Sequence, residues 1–267
     1  MSSEPMPERV VTVERDGHVL LIGVDRAAKR NAWNMAVIEQ MAAAYEVLAG
    51  DPDLWVGVVF GHGAHFSAGL DLAEVGPVVA EHGGQALSGV GSVDPFGLWG
   101  PPCPKPVVIA LQGISYTLSI ELALASDVVV AADDVRFRQL EIARGILPFG
   151  GATLRAAEQL GWGNAMRYLL TAEEFGADEA LRIGLVQEVV PAGQQLERAR
   201  ALAGLIAEQA PLGVQATLAN ARVARDEGHA AAVAHLAAVL PEVLNSEDAV
   251  EGMRSFVERR TATFTGR

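Results

Sequence analysis

The sequence predicts an α/β fold with a mainly parallel sheet. Short apolar, strand-like runs at 54–60, 106–111, 127–132 and 185–190 are mostly separated by helical patterns, as in βαβ units. Val-, Ile- and Leu-rich stretches flank Asp16-Gly17 near the start of the chain, and after Pro191 the pattern becomes almost wholly helical.

The elements follow in order. Residues 10–15 and 18–25 read as a β-hairpin turning at Asp16-Gly17. Asn34 is placed to cap a helix running to about Ala49, because Val37, Ile38, Met41, Tyr45 and Leu48 recur at helical spacing. Asp51-Pro52-Asp53 stops it, and the 54–60 strand follows. In 76–104 glycines and prolines interrupt every period, which reads as a mobile lid beside a site or a tolerated insertion, with the lid preferred. Ser119 to Ser126 is an apolar helix between two strands, and another helix starts near Ala152. Helices at 193–209, 212–227 and 229–244 complete the chain, giving a core over 1–191 and a helical region over 192–267.

A chain of 267 residues, half of them hydrophobic, can bury one substantial core. No apolar run is long enough to span a membrane, and Met1 to Glu8 has no basic start or apolar signal stretch, so a soluble cytoplasmic protein is expected. The net charge of −13 opposes binding to nucleic acid or an anionic membrane. A polyanionic ligand would need a local cationic patch. Arg26, Lys29 and Arg30, or Arg254, Arg259, Arg260 and Arg267, could supply one, or could be ordinary solvated charges. Cys103, the single cysteine, sits in a Pro-Pro-Cys-Pro connector, and His62 and His65 read as solvated turn histidines. No internal repeat, zinc-type spacing, Walker A loop or dinucleotide glycine signature is visible, so no metal is expected.

Two segments point to chemistry. Gly61 to Leu72 and Gly113 to Glu121 each follow a strand-like run and open a helix, so each can aim unpaired backbone N–H groups at a developing negative charge. Together they suggest an oxyanion hole. Glu121 lies in an apolar helix, where an ionised acid must be paired, hydrogen-bonded or neutralised. Glu141 has the same problem, although Arg138 and Arg144 nearby offer an ion pair. Two carboxylates in one apolar pocket would titrate as a unit suited to acid–base work. Gly150-Gly151 permits close backbone approach, or is a simple helix-entry loop.

The order and spacing of Arg26 to Ala32, Phe66 to Leu72, Lys105 to Ala110, Glu121 to Asp127, Phe137 to Gly151, Gly184 to Pro191 and Glu251 to Phe256 resemble the crotonase (enoyl-CoA hydratase/isomerase) superfamily over almost the full length. The resemblance implies a spiral of ββα units, with a helical C-terminal region for trimerisation and a homotrimer or a hexamer built as a dimer of trimers. It also implies an acyl-CoA thioester ligand, with coenzyme A part of the substrate and no separate cofactor. Position matching assigns the oxyanion amides to Leu70 and Leu118. Ala28, Arg30, Ala68, Asp71 and Leu72 match positions near the CoA portion, and Leu140 and Phe149 match positions near the acyl pocket. Glu121 and Glu141 match both acids of the hydratases, which implies addition of water at C3 of a 2-enoyl thioester, with Glu141 giving the proton to C2.

The chain departs from the family at Thr117-Leu118, where small glycines are usual, and at Phe149, which replaces a small residue. A Leu118 amide can still donate, and with negative φ at the helix start its cost is lost room, shared with Tyr116 and Thr117. The alternatives are another crotonase-type reaction (isomerisation, decarboxylation or hydrolysis) and a catalytically idle acyl-CoA-binding paralogue.

Overall fold

The computed structural model describes residues 8–89, 91 and 93–267. Met1 to Pro7, and Val90 and Ser92 of the 76–104 segment, lie outside the described residues. The hairpin forms as β1 (Val11–Asp16) and β2 (Val19–Val24), with Asp16 opposite Val19. Helix α1 (Met35–Gly50) begins where the Asn34 side chain accepts the Val37 amide at 3.2 Å, and its predicted apolar face is fully buried. At its far end the buried Lys105 ammonium donates to the carbonyls of Leu48 and Asp51, at 2.8 and 2.6 Å.

The chain continues through β3 (Val56–Gly61), α2 (Leu72–His82), β4 (Val107–Leu111), β5 (Ile114–Tyr116), α3 (Leu118–Ala125), β6 (Val128–Ala132) and β7 (Arg136–Arg138). After α4 (Ala152–Leu160) and α5 (Trp162–Thr171) come β8 (Phe175–Gly176), α6 (Ala177–Ile183) and β9 (Glu188–Val190). The main sheet has the order β1-β2-β3-β4-β6-β9 and is parallel from β2 onward; a second sheet has the order β5-β7-β8. The expected strand at 185–190 is short, because Leu185 and Val186 bury themselves before the ladder begins.

The sequence shows no repeat, but the backbone does. Three consecutive turns each lay a strand in the main sheet, make a pairing in the second layer and then enter a helix. These are β3, the Ser67–Ser115 bridge and α2; then β4, β5 and α3; then β6, β7 and α4. The side chains that repeat are generic aliphatics, so the period is carried by topology and leaves no residue signature. The second layer also corrects the expectation that strand leads straight to helix in the two glycine-bearing segments.

On the back of the main sheet, α7 (Gln195–Ala207) buries Ala199 and Ala203 in a second apolar cluster with Leu21, Val58 and Val108. Small residues let this helix lie close to the strands. Helices α8 (Pro211–Asp226), α9 (His229–Leu244) and α10 (Glu247–Glu258) extend beyond it. No helix of the described residues is long and apolar enough to cross a membrane.

The segment 76–104 is not one lid: residues 76–82 continue α2, and the stretch from Val93 onward packs into the core. Leu87, Val93, Phe96 and Cys103 are buried in the main core, and the Asp94 carboxylate accepts the amides of Phe96, Leu98, Trp99 and Gly100. Residues 93–103, rich in glycine and proline, form a packed loop organised by one buried aspartate. Cys103 is enclosed, and burial pushes its thiol up to about 11, which removes it as a nucleophile.

Candidate active site

The first glycine-bearing segment is fixed by a small buried network. Asn31, at φ 52°, donates through Nδ2 to the carbonyls of His62 and His65, both at 2.8 Å, and accepts the Arg26 amide. Ser67 Oγ donates to Asn31 O at 2.7 Å and accepts the Gly69 amide at 3.1 Å. The two histidines are therefore engaged rather than merely solvated: His65 Nδ1 accepts the Ile114 amide, and His62 Nε2 lies 2.8 Å from Thr12 Oγ1.

The second segment is tied to the first. Ser67 N donates to Ile114 O, Tyr116 N to Ser67 O, and Ser119 Oγ to Ser67 O. Thr117 N donates to Arg138 O at 2.8 Å, joining the third turn of the spiral. Among the described residues, the amides of Leu70 and Leu118 donate to no protein acceptor. Both amides are therefore open to an acceptor from a ligand.

The two residues of the family departure differ in backbone conformation. Leu118 is buried as the first residue of α3 and has no positive φ, whereas Thr117 has φ 49° and ψ −109°. A β-branched residue in that region carries strain of about 1–3 kcal/mol. Tyr116, expected to reshape the pocket, turns its hydroxyl to Glu174 and does not line the cavity.

Leu70 and Leu118 face a cavity of about 170 Å³ that also receives Thr117, Glu121, Glu141 and Arg144. Of the remaining sequence-selected residues, Ala68, Leu72, Leu140 and Phe149 line it. Ala28 and Arg30 line an adjoining depression, and the side chains of Lys29 and Arg30 have no partner among the described residues. Asp71 is not brought to the cavity; it pairs with Arg26 at 2.8 Å, and Arg26 also holds Glu74. In the other basic cluster, Arg254 and Arg260 pair with Glu258, and Arg260 also with Glu251.

The two acids differ in support. Glu121 is 2% exposed, and its Oε1 accepts the amides of Gly150 at 2.8 Å and Ala152 at 3.1 Å. A Cβ on Gly150 would come within 2.5 Å of Glu121 Oε2, so the glycine lets backbone reach the carboxylate. Burial raises Glu121 to about 7, offset by these amides and by Arg155. Glu141 is also raised to about 7, first by burial and then by the charge of Glu121. Its Oε2 has no hydrogen-bond partner among the described residues. The alternative ion pair with its neighbours does not form: Arg138 Nε donates to Ala172 O, and Arg144 has no partner among the described residues. The sequence reading passed over Arg144 and Ile146 as cavity-lining residues. The available signal was spacing, because Glu141–Arg144 is a 3-10 turn in which residues three apart share a face.

Such a cavity can polarise a carbonyl with two amides while a coupled pair of acids exchanges a proton beside it. Among the described residues no cluster of His, Cys, Asp and Glu could hold a metal ion. Residues 14–267 match the model of the family described as enoyl-CoA hydratase/isomerase. The chain is 34% identical to the 2,3-dehydroadipyl-CoA hydratase of Escherichia coli K12, over 96% of this chain and 98% of that one. A solved structure of a probable enoyl-CoA hydratase/isomerase from Mycobacterium abscessus superposes with a TM-score of 0.92 at 48% identity, covering 97% of this chain and 99% of the other. An enoyl-CoA hydratase from Mycobacterium tuberculosis H37Rv superposes at 0.88 with 35% identity, covering 97% and 100%. The chain belongs to the enoyl-CoA hydratase/isomerase family, within the crotonase superfamily.

Proposed function

We propose that the protein is an enoyl-CoA hydratase that adds water reversibly across the double bond of a 2-enoyl-CoA thioester. The observation that carries this reading is the convergence of two unpaired amides and two raised glutamates on one cavity. The thioester oxygen accepts from Leu70 N and Leu118 N. Glu121, whose ionised form is favoured by the Gly150 and Ala152 amides, takes a proton from water as its oxygen bonds to C3. Negative charge then develops on the thioester oxygen, and Glu141, which lacks comparable support for its charge, gives its proton to C2. One proton enters the pair and one leaves it, so the pair carries the same total before and after. Ala28 and Arg30, which line the other depression, with Lys29 between them in sequence, would receive the CoA portion.

The pair must hold one proton, so kcat/KM should follow a bell centred near pH 7, falling on the acid side as both carboxyls protonate and on the basic side as both ionise. The test is loss of the conjugated thioester for short, medium and branched 2-enoyl-CoAs. Glu121→Gln and Glu141→Gln should each lower the rate by about 10²–10⁴. Absence of turnover with any of these thioesters, in a folded protein that binds them, overturns the reading.

We also propose assembly into a trimer or a hexamer through the helical region. Leu240, Leu244, Met253, Phe256 and Val257 are exposed there, Phe256 by 81%, and apolar exposure on this scale marks an interface. Analytical ultracentrifugation should give three or six copies; a monomer at micromolar concentration contradicts it.

A further inference from the structure

One cation, the exposed Arg144, lines the cavity with no protein group to neutralise it. Arg144 is the only basic residue lining the cavity, and its guanidinium has neither an ion-pair nor a hydrogen-bond partner among the described residues. Other arginines around the cavity are engaged, Arg138 with Ala172 O and Arg155 with the carbonyls of Phe96 and Gly97.

Position gives the unpaired charge a direction. Glu141 and Arg144 are the first and last residues of one 3-10 turn, so they project on the same side, separated by about 6 Å of rise along its axis. The thioester oxygen belongs at Leu70 and Leu118, and C2 and C3 beside Glu121 and Glu141. Ile146, Phe149 and Arg144 line the same cavity, so a chain continuing beyond C3 would run among them. The basic residues suited to CoA, Lys29 and Arg30, are elsewhere, with Arg30 in the adjoining depression.

We infer that Arg144 is a specificity-determining residue, and that the acyl group it selects ends in a carboxylate a few methylenes beyond C3. The inference rests on the proposed placement of the thioester at the two amides. A carboxylate in this cavity would otherwise meet only the two glutamates, whose charges repel it. A guanidinium matches it with two parallel N–H donors, whereas a methyl-ended chain leaves that guanidinium over apolar carbon. Glycine follows the turn at Gly145 and both Ile146 and Leu147 are exposed, so the arginine is free to adjust to chain length.

The experiment compares 2-enoyl-CoAs of equal chain length that end in carboxylate or methyl, in the wild-type protein and in Arg144→Gln, Arg144→Lys and Arg144→Glu. Turnover is measured alongside Kd for the saturated thioesters and for free CoA. The wild type should prefer the carboxylate-ended chain by about tenfold or more, as expected for a charge-assisted pair. Arg144→Gln should abolish that ratio, Arg144→Lys should retain part of it, Arg144→Glu should invert it, and added salt should reduce it. Equal weakening of both thioesters and of free CoA by Arg144→Gln would place the residue at the CoA portion and overturn the inference, as would a wild-type preference for methyl. The binding ratio separates the two readings: a carboxylate preference without hydration sinks the hydratase proposal and leaves Arg144 as the selector.

Discussion

Gly69 and Thr117 occupy matching places in successive turns of the spiral, each the positive-φ residue just before an amide that opens onto the cavity. In the first turn φ is 97° and glycine adopts it without a steric penalty. In the second, threonine is held at φ 49°, and its hydroxyl occupies the space a side chain on residue 69 would need: a Cβ there would lie 2.0 Å from Thr117 Oγ1. One position is relaxed because the other is filled. Strain at Thr117 is sustained by the bonds around it, Thr117 N to Arg138 O and Ile120 N to Thr117 O.

The largest expected effect comes from removing this asymmetry in the wrong direction. Gly69→Ala forces a methyl onto the Thr117 hydroxyl and swings the Leu70 amide, and steady-state turnover should drop by about 10²–10³, the usual cost of one oxyanion donor. Adding Thr117→Gly to that variant should restore part of the rate, because it empties the contested space. Full additivity of the two changes would break the comparison.

The acids repeat the contrast between a supported and an unsupported member. Burial raises Glu141 from 4.5 to about 7, so its contribution to stability is fully present below pH 4.5 and lost as pH rises to about 7. Glu141→Gln removes the ionisable group, and urea unfolding at neutral pH should show a gain of about 3 kcal/mol over wild type that vanishes near pH 4.5. A gain independent of pH would mean that the burial penalty is not electrostatic.

A smaller change is expected from Thr117→Gly alone. It relieves about 1–3 kcal/mol of backbone strain and costs about 0.5–1 kcal/mol in unfolded-chain entropy, a net gain near 1 kcal/mol by thermal unfolding. Destabilisation would show that the threonine side chain contributes more by packing on Gly69 than its backbone loses.

Local rules made much of this molecule legible. The hairpin at Asp16-Gly17, the Asn34 cap and the apolar faces of the helices follow from turn chemistry and periodicity, and the structure has them at the expected positions. Glu121 stood out because a lone glutamate in an apolar helix is anomalous. What the sequence hid depends on contacts distant along the chain. The packed loop around Asp94 looks flexible by composition, since nothing local shows one carboxylate collecting four amides. Leu118 has no positive φ, as expected at a helix start, but the strain at Thr117 was not anticipated, because a positive φ at a residue other than glycine is imposed by contacts distant along the chain. Arg144 was overlooked as one of two arginines near Glu141; its place in the cavity wall and its lack of a partner among the described residues, both visible only in three dimensions, separate it from Arg138.

The central claim is that the two amides and the two glutamates act together on a 2-enoyl thioester and water. Its most direct test is turnover of a 2-enoyl-CoA in water carrying a heavy oxygen isotope, with products weighed for the wild type and for Glu141→Gln. The account predicts a product heavier by one water and carrying the labelled oxygen, formed far more slowly by the variant. A product of unchanged mass, loss of carbon dioxide, or undiminished turnover in Glu141→Gln would contradict it.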